Sequence, residues 1–563
     1  GHPQQALQVL RRMQELERHH SHGLSPDAIS FTSAFKACGL LGDLEQGRQI
    51  HEEVRQSLPK LLLPGRDVIL ATALVGMYAR CGSMDKAEET FCELLPRPNV
   101  VSWNVLIAGY THQGLCEKAL DCFKLMQAKG YSPDAITFSS ILRACGSLLN
   151  VDEGIEIHKE ILQKGLLAKD VVLGTALVDM YAKCGAIVKA EQVFNELPVR
   201  NVASWNAVIA GCVQCGQSED ALNHFMQMKR EGFYPDGITL SSVLKACGST
   251  CCVDMGKQIH DEIIRHGVLD KDVVLGTALI DMYAKCGMLE RAEEVFNKLM
   301  VRDIVSWNAL IAGYSHQEKA EEAFKCFQQM QSEGILADTI TFISILMVCG
   351  SRGAVGKGSH IHHEIISKEL LGKLTLLDNA LLDMYSKCGS LGKAEQVLDK
   401  LPVRDIVSWN VLLAGYAQQG FGEEAVNCFK RMQIEGLFPD SVTLLSLLTA
   451  CSHSGLVDDG EMYFMEMTLK YGIITIIDHH TCMVDLFGRT GNFEKAMLMI
   501  RKMPFPESLP LWDVLLGACR KWGNVKLGRL AYEQAIELDD SNISRYIMMA
   551  HIHTAASMNE DPC

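Results

Sequence analysis

The sequence predicts an all-α fold, a right-handed α-solenoid superhelix of tandem helix-turn-helix repeats, and three observations predict it. Tryptophans at Trp103, Trp205, Trp307 and Trp409 sit in Ser-Trp-Asn tripeptides spaced by 102 residues, and Trp512 follows after 103. A fixed period of this kind marks a tandem array. Leu106, Ile107, Tyr110, Ala119, Leu120, Phe123 and Met126 recur at three- and four-residue intervals, the spacing of amphipathic helices. The chain of 563 residues exceeds the usual size of one core, and 48% hydrophobic with 21% charged residues excludes a disordered polymer.

Each 102-residue unit divides into segments of 35, 36 and 31 residues, as in 202–236, 237–272 and 273–303. The same division fits 100–201, 304–405 and, with one extra residue, 406–508. A segment such as 100–134 reads as two helices broken near Gly114. Ser132-Pro133-Asp134 closes the second helix, because proline cannot continue it, and Asp134 can cap the next. A hairpin this small cannot bury its apolar faces alone, so neighbours must complete the core by stacking. Gly1 aligns with Gly114, so the chain is expected to begin inside a repeat, without that repeat's first helix. Insertions are expected as surface loops around Leu16–His22 and Leu58–Gly65.

The formal charge of −15 excludes a protein that coats nucleic acid by bulk electrostatics, since phosphate contact favours basic surfaces. No run of eighteen uncharged apolar residues occurs, and no signal or transit peptide is visible. A soluble protein whose targeting segment lies outside this sequence is therefore expected. Of 21 cysteines, Cys38, Cys145, Cys247, Cys349 and Cys451 form one periodic series and Cys81, Cys184, Cys286 and Cys388 another. Small buried thiols in a reducing compartment account for this pattern better than disulfides.

Period and hairpins fit both tetratricopeptide repeats, which bind peptides, and pentatricopeptide repeats, which read RNA. The 35-residue segments, with VSWN and LIAGY followed by a closing Pro-Asp in 100–134, resemble the pentatricopeptide P-type repeat. The 36-residue segments (ITFSSILRACG, 136–146; GKQIHDEII, 256–264) resemble its L-type, and the 31-residue segments (TALVDMYAKCG, 175–185) its S-type. Residues 477–508 resemble a last S-type repeat, 509–542 an E motif, and 543–563 the opening of a second E motif. The resemblance makes 1–27 a partial P-type repeat and 28–99 an L and S pair. It implies a plant organellar RNA-editing factor of the PLS subclass, in mitochondrion or chloroplast.

In that family the fifth residue of a repeat and its last residue read one base. The P-type pairs are Asn104/Asp134, Asn206/Asp236, Asn308/Asp338 and Asn410/Asp440. An Asn amide offers donor and acceptor, and an Asp acceptor suits uracil N3–H, so these imply U, with C accepted. The S-type pairs are Thr72/Asn99, Thr175/Asn201, Thr277/Asp303 and Asn379/Asp405, implying A, A, G and U. The implied target is 5'-A-U-x-A-U-x-G-U-x-U-U-x, with the edited C four nucleotides beyond the base aligned to 477–508. The L-type pairs, such as Ile343/Leu374 and Leu445/Ile476, carry little readable information.

Every one of these positions also has an ordinary structural reading. Asn and Asp near helix starts cap helices, and Ser102, Ser204, Ser306 and Ser408 are expected caps. Variation of the S-type pairs within a nearly unchanged scaffold is what favours a code. Arg80, Lys183, Lys285 and Lys387, before the Cys-Gly of each S-type segment, are candidates for phosphate, or simply charges at a helix C-terminus. Val101, Val305 and Val407, with Ala203, occupy the family's base-sandwiching position, where packing is the ordinary role of an apolar side chain.

No chemistry of its own is expected of the chain. Many relatives in this family end in a DYW domain resembling zinc cytidine deaminases, with H-x-E and P-C-x-x-C. Here H-x-E recurs with the repeats, at His51-Glu53, His158-Glu160, His260-Glu262 and His362-Glu364, and no P-C-x-x-C follows. Cys212-Val213-Gln214-Cys215 is the one C-x-x-C, and its sister segments carry Tyr at the first cysteine, so it reads as chance. The expected partners are single-stranded organellar RNA and a DYW-type deaminase or other editing factors acting in trans through 509–563, with no cofactor, metal, membrane or small-molecule substrate. A tetratricopeptide-like protein scaffold, a factor for splicing, stability or translation, and an editing enzyme continuing past Cys563 stand as alternatives.

Overall fold

First helices of this sequence are apolar nearly all round, whereas second helices are apolar on one stripe, so the first must lie between neighbours and the second outside them. The computed structural model shows this arrangement. It describes residues 2–19, 26–57, 62–63, 67–167, 170–267, 272–503 and 508–559, in which there are thirty-two α-helices and no strand. The helices fall into two compact units, Gly1–Cys286 and Gly287–Cys563. Within each unit, every first helix packs against the first helix of the next segment and against its own second helix.

The segment 100–134 shows how the sequence builds one hairpin. Val100–His112 and Cys116–Ala128 are its helices, and Gly114 turns between them at φ +75°. Trp103, Leu106, Ile107 and Tyr110 are buried on the first helix, and Ala119, Leu120, Phe123 and Met126 on the second. Trp103 meets Phe91 of the preceding segment edge to face at 4.9 Å, and the contact recurs as Phe194 with Trp205 at 4.6 Å and Phe296 with Trp307 at 4.5 Å. Each indole therefore bridges two consecutive hairpins, adding aromatic geometry to area burial.

Of the recurring cysteines, expected to be buried thiols, Cys38, Cys145, Cys247, Cys349 and Cys451 serve this packing as small apolar side chains, whereas Cys81, Cys184, Cys286 and Cys388 are only half-buried. The described ones are free thiols. Burial pushes Cys145, Cys247, Cys349 and Cys451 up to about 12. The H-x-E histidines are likewise structural: His51, His158, His260 and His362 each hydrogen bond through Nδ1 to a tyrosine of the next first helix, at 2.8 to 3.0 Å.

The insertion expected near Leu16–His22 begins as helix, because Pro3–His19 continues through it; residues 20–25 lie outside the described part, as do 58–61 and 64–66 of the second insertion. Pro3–His19 packs against Ala28–Leu41. The last three helices, Leu509–Trp522, Val525–Leu538 and Ile543–Asn559, continue the stack of the second unit. Arg545, 2% exposed, joins the last helix to its neighbours through Asp513 at 2.7 Å and Asp539 at 3.0 Å. No described helix is long and apolar enough to cross a membrane.

First helices approach closely where the sequence reads Ala-Gly-Tyr or Ala-Gly-Cys. A Cβ on Gly211 would lie 2.4 Å from Ala182 Cβ. Alanine is favoured over glycine in a helix by about 1 kcal/mol, yet here it collides with a neighbouring helix. Gly211→Ala is expected to destabilise the first unit by about 1–3 kcal/mol, read as a lower urea midpoint; a rise in that midpoint would contradict the packing.

Candidate nucleic-acid interface

The last residue of every 35-residue segment becomes the N-cap of the following helix. Asp134 caps Ala135–Leu148 by accepting from Thr137 N at 2.9 Å, and Asp236, Asp338 and Asp440 do the same from Thr239, Thr341 and Thr443. The fifth residue is joined to this cap. Asn104 Nδ2 donates to Asp134 Oδ1 and Oδ2 at 2.9 and 3.1 Å, while Thr137 Oγ1 donates to Asn104 Oδ1 at 2.5 Å. Asn206/Asp236, Asn308/Asp338 and Asn410/Asp440 repeat the arrangement. These partners fix which way each amide points, since its nitrogen faces a carboxylate and its oxygen a hydroxyl.

The four asparagines are buried, Asn104 being 5% exposed, while Asp134, Asp338 and Asp440 are half-buried and Asp236 is exposed. Burial alone would raise the Asp134 carboxyl. The Thr137 N–H, the Asn104 amide and the Thr137 hydroxyl overcome it and hold the group below its ordinary value. Asp236, Asp338 and Asp440 are depressed for the same reasons. Each pair thus presents an ionised carboxylate, oriented from behind by an amide.

The 31-residue segments are built differently. Thr72 and Thr175 donate their hydroxyls to Val68 O at 2.6 Å and Val171 O at 2.8 Å, leaving acceptor lone pairs. Thr277 Oγ1 and Asn379 Oδ1 are buried with no hydrogen-bond partner among the described residues. Asn99, Asn201, Asp303 and Asp405 are N-caps. The serines expected as caps, Ser102, Ser204, Ser306 and Ser408, instead sit at the third helical position. Ser102 and Ser204 answer the cap reciprocally, Ser102 Oγ accepting from Asn99 N at 2.9 Å. The chain bends into the helix three residues earlier than expected, because the preceding Asn or Asp already accepts the orphan N–H.

Thr72, Asn99, Asn104 and Asp134 line one groove of about 700 Å³ in the first unit, together with Arg80 and Val101. Val101 is 59% exposed, and Val305 and Val407 are exposed too, so packing does not occupy this position. Ala203 shares that exposure. Within each unit, further first helices carry an exposed apolar side chain at the same second position, in a row of Ile69, Ile136, Val172, Ile238 and Val274 in one and of Ile340, Leu376 and Val442 in the other. Only four members of this row are recognisable from the Ser-Trp-Asn context; the rest carry the same register signal, one residue after the helix start.

Three of the four basic residues are not isolated charges. Lys183, Lys285 and Lys387 pair with Asp179, Asp281 and Asp383 at 2.7 to 2.8 Å, one helical turn away. Such half-exposed pairs are worth about 0–1 kcal/mol, so a phosphate can compete for the ammonium. Arg80 has Gly76 in the place of that aspartate. Lys36 and Arg143 line the same groove. With Lys245 they form a second basic series that sequence reasoning passed over, although each precedes Ala-Cys-Gly in register.

Fold and groove together define a helical-hairpin repeat protein. Models of the PPR repeat family match residues 98–147, 200–249, 302–350 and 404–453, and those of the PPR repeat match 70–95, 136–166, 175–202, 277–304, 379–406, 442–470 and 479–504. A pentatricopeptide repeat-containing protein of Arabidopsis thaliana, named as mitochondrial, is 34% identical over 99% of this chain and 62% of its own length. Two others from that plant are 36% identical over 94% of this chain and 76% of their length, and, for one named as chloroplastic, 35% over 95% and 65%. The chain belongs to the pentatricopeptide repeat family. It spans less than two thirds of the length of the first of these relatives. Among solved structures, the protein PPR10 in complex with an 18-nt psaJ RNA element shares the fold at a TM-score of 0.58 and 18% identity, over 98% of this chain and 87% of that one. A crystal structure of PPR10 from maize gives 0.54 and 20% over 99% and 90%.

Burial depresses His158, and depresses His362 to about 4. Unfolded histidine takes up a proton near pH 6.5, whereas folded His362 does so only near 4, so protons favour the unfolded chain across that window. The urea midpoint of the second unit is expected to fall between about pH 6.5 and 4, and His362→Gln, which can still bond Tyr385, to flatten that fall. An identical slope in both proteins would remove His362 from the account.

Proposed function

We propose that this chain binds single-stranded organellar RNA, one base per paired position, and selects sites for C-to-U editing in a mitochondrion or chloroplast. The observation that carries this reading is the oriented Asn/Asp pair at the end of each 35-residue segment. A carboxylate held ionised by a buried amide offers an acceptor to uracil N3–H, and the apolar row beside it supplies faces for bases to stack between. Here the aspartate meets the base and the asparagine positions it.

The segment lengths support the PLS subclass, with P-type repeats at the 35-residue, L-type at the 36-residue and S-type at the 31-residue segments, and an E-type extension from 509. On this reading a deaminase is recruited in trans through 509–563. Arg80, Lys36, Arg143 and Lys245 supply local positive charge against a net −15, with Lys183, Lys285 and Lys387 exchanging their aspartates for phosphate.

Two measurements test the reading. Asn308→Thr converts an Asn/Asp pair to Thr/Asp and is expected to shift preference at one nucleotide of the implied target from U to G. Mismatch costs of about 1–3 kcal/mol correspond to roughly 5- to 150-fold in gel-shift affinity; equal binding of both RNAs by both proteins would overturn the pairing. Arg143→Ala is expected to weaken all RNAs alike and lower the slope of log K against log salt by about 0.7.

A further inference from the structure

The second 102-residue unit departs from its sisters at two residues that meet in space. In the first and third units a tyrosine donates to a glutamate of the preceding segment, Tyr110 to Glu88 at 2.9 Å and Tyr314 to Glu293 at 3.1 Å. A cysteine, Cys122 or Cys326, stands twelve residues after that tyrosine on the second helix, and Tyr416 and Cys428 keep the spacing in the fourth unit. Here the tyrosine is replaced by Cys212 and the cysteine by His224, opposite Glu191.

The three side chains come from three helices, Ile187–Glu196, Val202–Gln214 and Ser218–Arg230. One ligand atom from each lies within 4.8 Å of the others, and His224 Nε2 stands 2.9 Å from Glu191 Oε1. Among the described residues no other three histidine, cysteine or acidic side chains converge this way. Cys212 is buried and the other two are partly so. Phe194 and Trp205 flank the imidazole at 6.2 and 6.3 Å between ring centres and restrict its orientation.

We infer that Cys212, His224 and Glu191 form a three-ligand site for a divalent transition metal, with zinc the best fit and water completing a tetrahedron. Thiolate, imidazole and carboxylate are the zinc donor set, whereas magnesium and calcium take oxygen alone. Zinc bonds of about 2.0–2.3 Å place tetrahedral ligand atoms about 3.2–3.8 Å apart. The histidine and glutamate must separate and the widest pair close by about 1 Å, within the reach of side-chain rotation. A nucleophilic cysteine is the competing reading, but burial pushes the Cys212 thiol up to about 12, away from an activated thiolate. Cys215, the neighbour in the C-x-x-C motif, is not one of the three; its sulfur points instead to Ala182 O, 4.0 Å away. The metal would staple the hairpin of 171–196 to the one that follows it.

The test uses the whole chain, titrated with Co(II) and, separately, melted with and without Zn(II). Wild type is expected to show thiolate-to-cobalt charge transfer and the visible bands of a four-coordinate ion at one equivalent, and zinc is expected to raise its melting temperature. Cys212→Tyr with His224→Cys restores the residues of the sister units, so it should fold and lose both responses. No cobalt spectrum in wild type, or the same spectrum in the double variant, would overturn the site. Should the double variant not fold, Glu191→Gln decides: a loss of zinc affinity of at least about 10-fold supports the site, and unchanged affinity overturns it.

Discussion

The helix cap at each segment junction is the interaction on which the rest depends. A helix opens with N–H groups that have no partner within it, and most hairpins of this chain answer them with an Asn or Asp, Leu374, Ile476 and Ser508 standing in that place in three others. In the 35-residue segments the same carboxylate also holds the asparagine of the preceding first helix, as Asp134 holds Asn104. One group therefore starts a helix, fixes the register of two neighbours and sets its own charge. Removing it would cost the cap, on the order of 1 kcal/mol, and leave a buried amide unsatisfied as well.

Close packing behind the caps converts that local chemistry into a surface. Gly211 against Ala182 brings consecutive first helices shoulder to shoulder, and Trp205 against Phe194 holds the first helix to the second helix of the preceding hairpin. Their N-terminal turns then lie side by side, which puts Thr72, Asn99, Asn104 and Asp134 on a single groove. Second helices take no part in that groove; they carry the amphipathic stripe that seals the opposite side of the first helices. Because each hairpin meets only its neighbours, the geometry at one junction is set locally.

Much of this was legible in the residues. Tryptophan spacing gave the array, three- and four-residue periodicity gave the helices, and Gly114 gave the break between them. What escaped has identifiable reasons. The bond between Asn104 and Asp134 spans thirty residues and follows from stacking, not from local spacing. Ser102 was displaced from cap to third position because a boundary shift of three residues exchanges those roles, and periodicity does not resolve boundaries so finely. Val101 stood between two roles, base-sandwiching and packing, because a valine among apolar neighbours gives no sign whether its face is open. The Lys183 to Asp179 pair was visible as an i,i+4 spacing, and its consequence for free charge went unnoticed. Cys212, His224 and Glu191 come from three helices and match no motif of fixed spacing.

The recurrence of the aromatic contact has a consequence for how such a chain can change length. Phe194 meets Trp205 at 4.6 Å and Phe296 meets Trp307 at 4.5 Å, each just ahead of a Ser-Trp-Asn helix opened by an Asn or Asp cap. A chain lacking residues 202–303 would present Phe194 to Trp307 in the same local sequence, with Asn201 capping the helix in place of Asp303. Whole triplets are thus interchangeable cassettes, so a gene of this kind can lengthen or shorten by one cassette through unequal exchange and still encode a protein that packs.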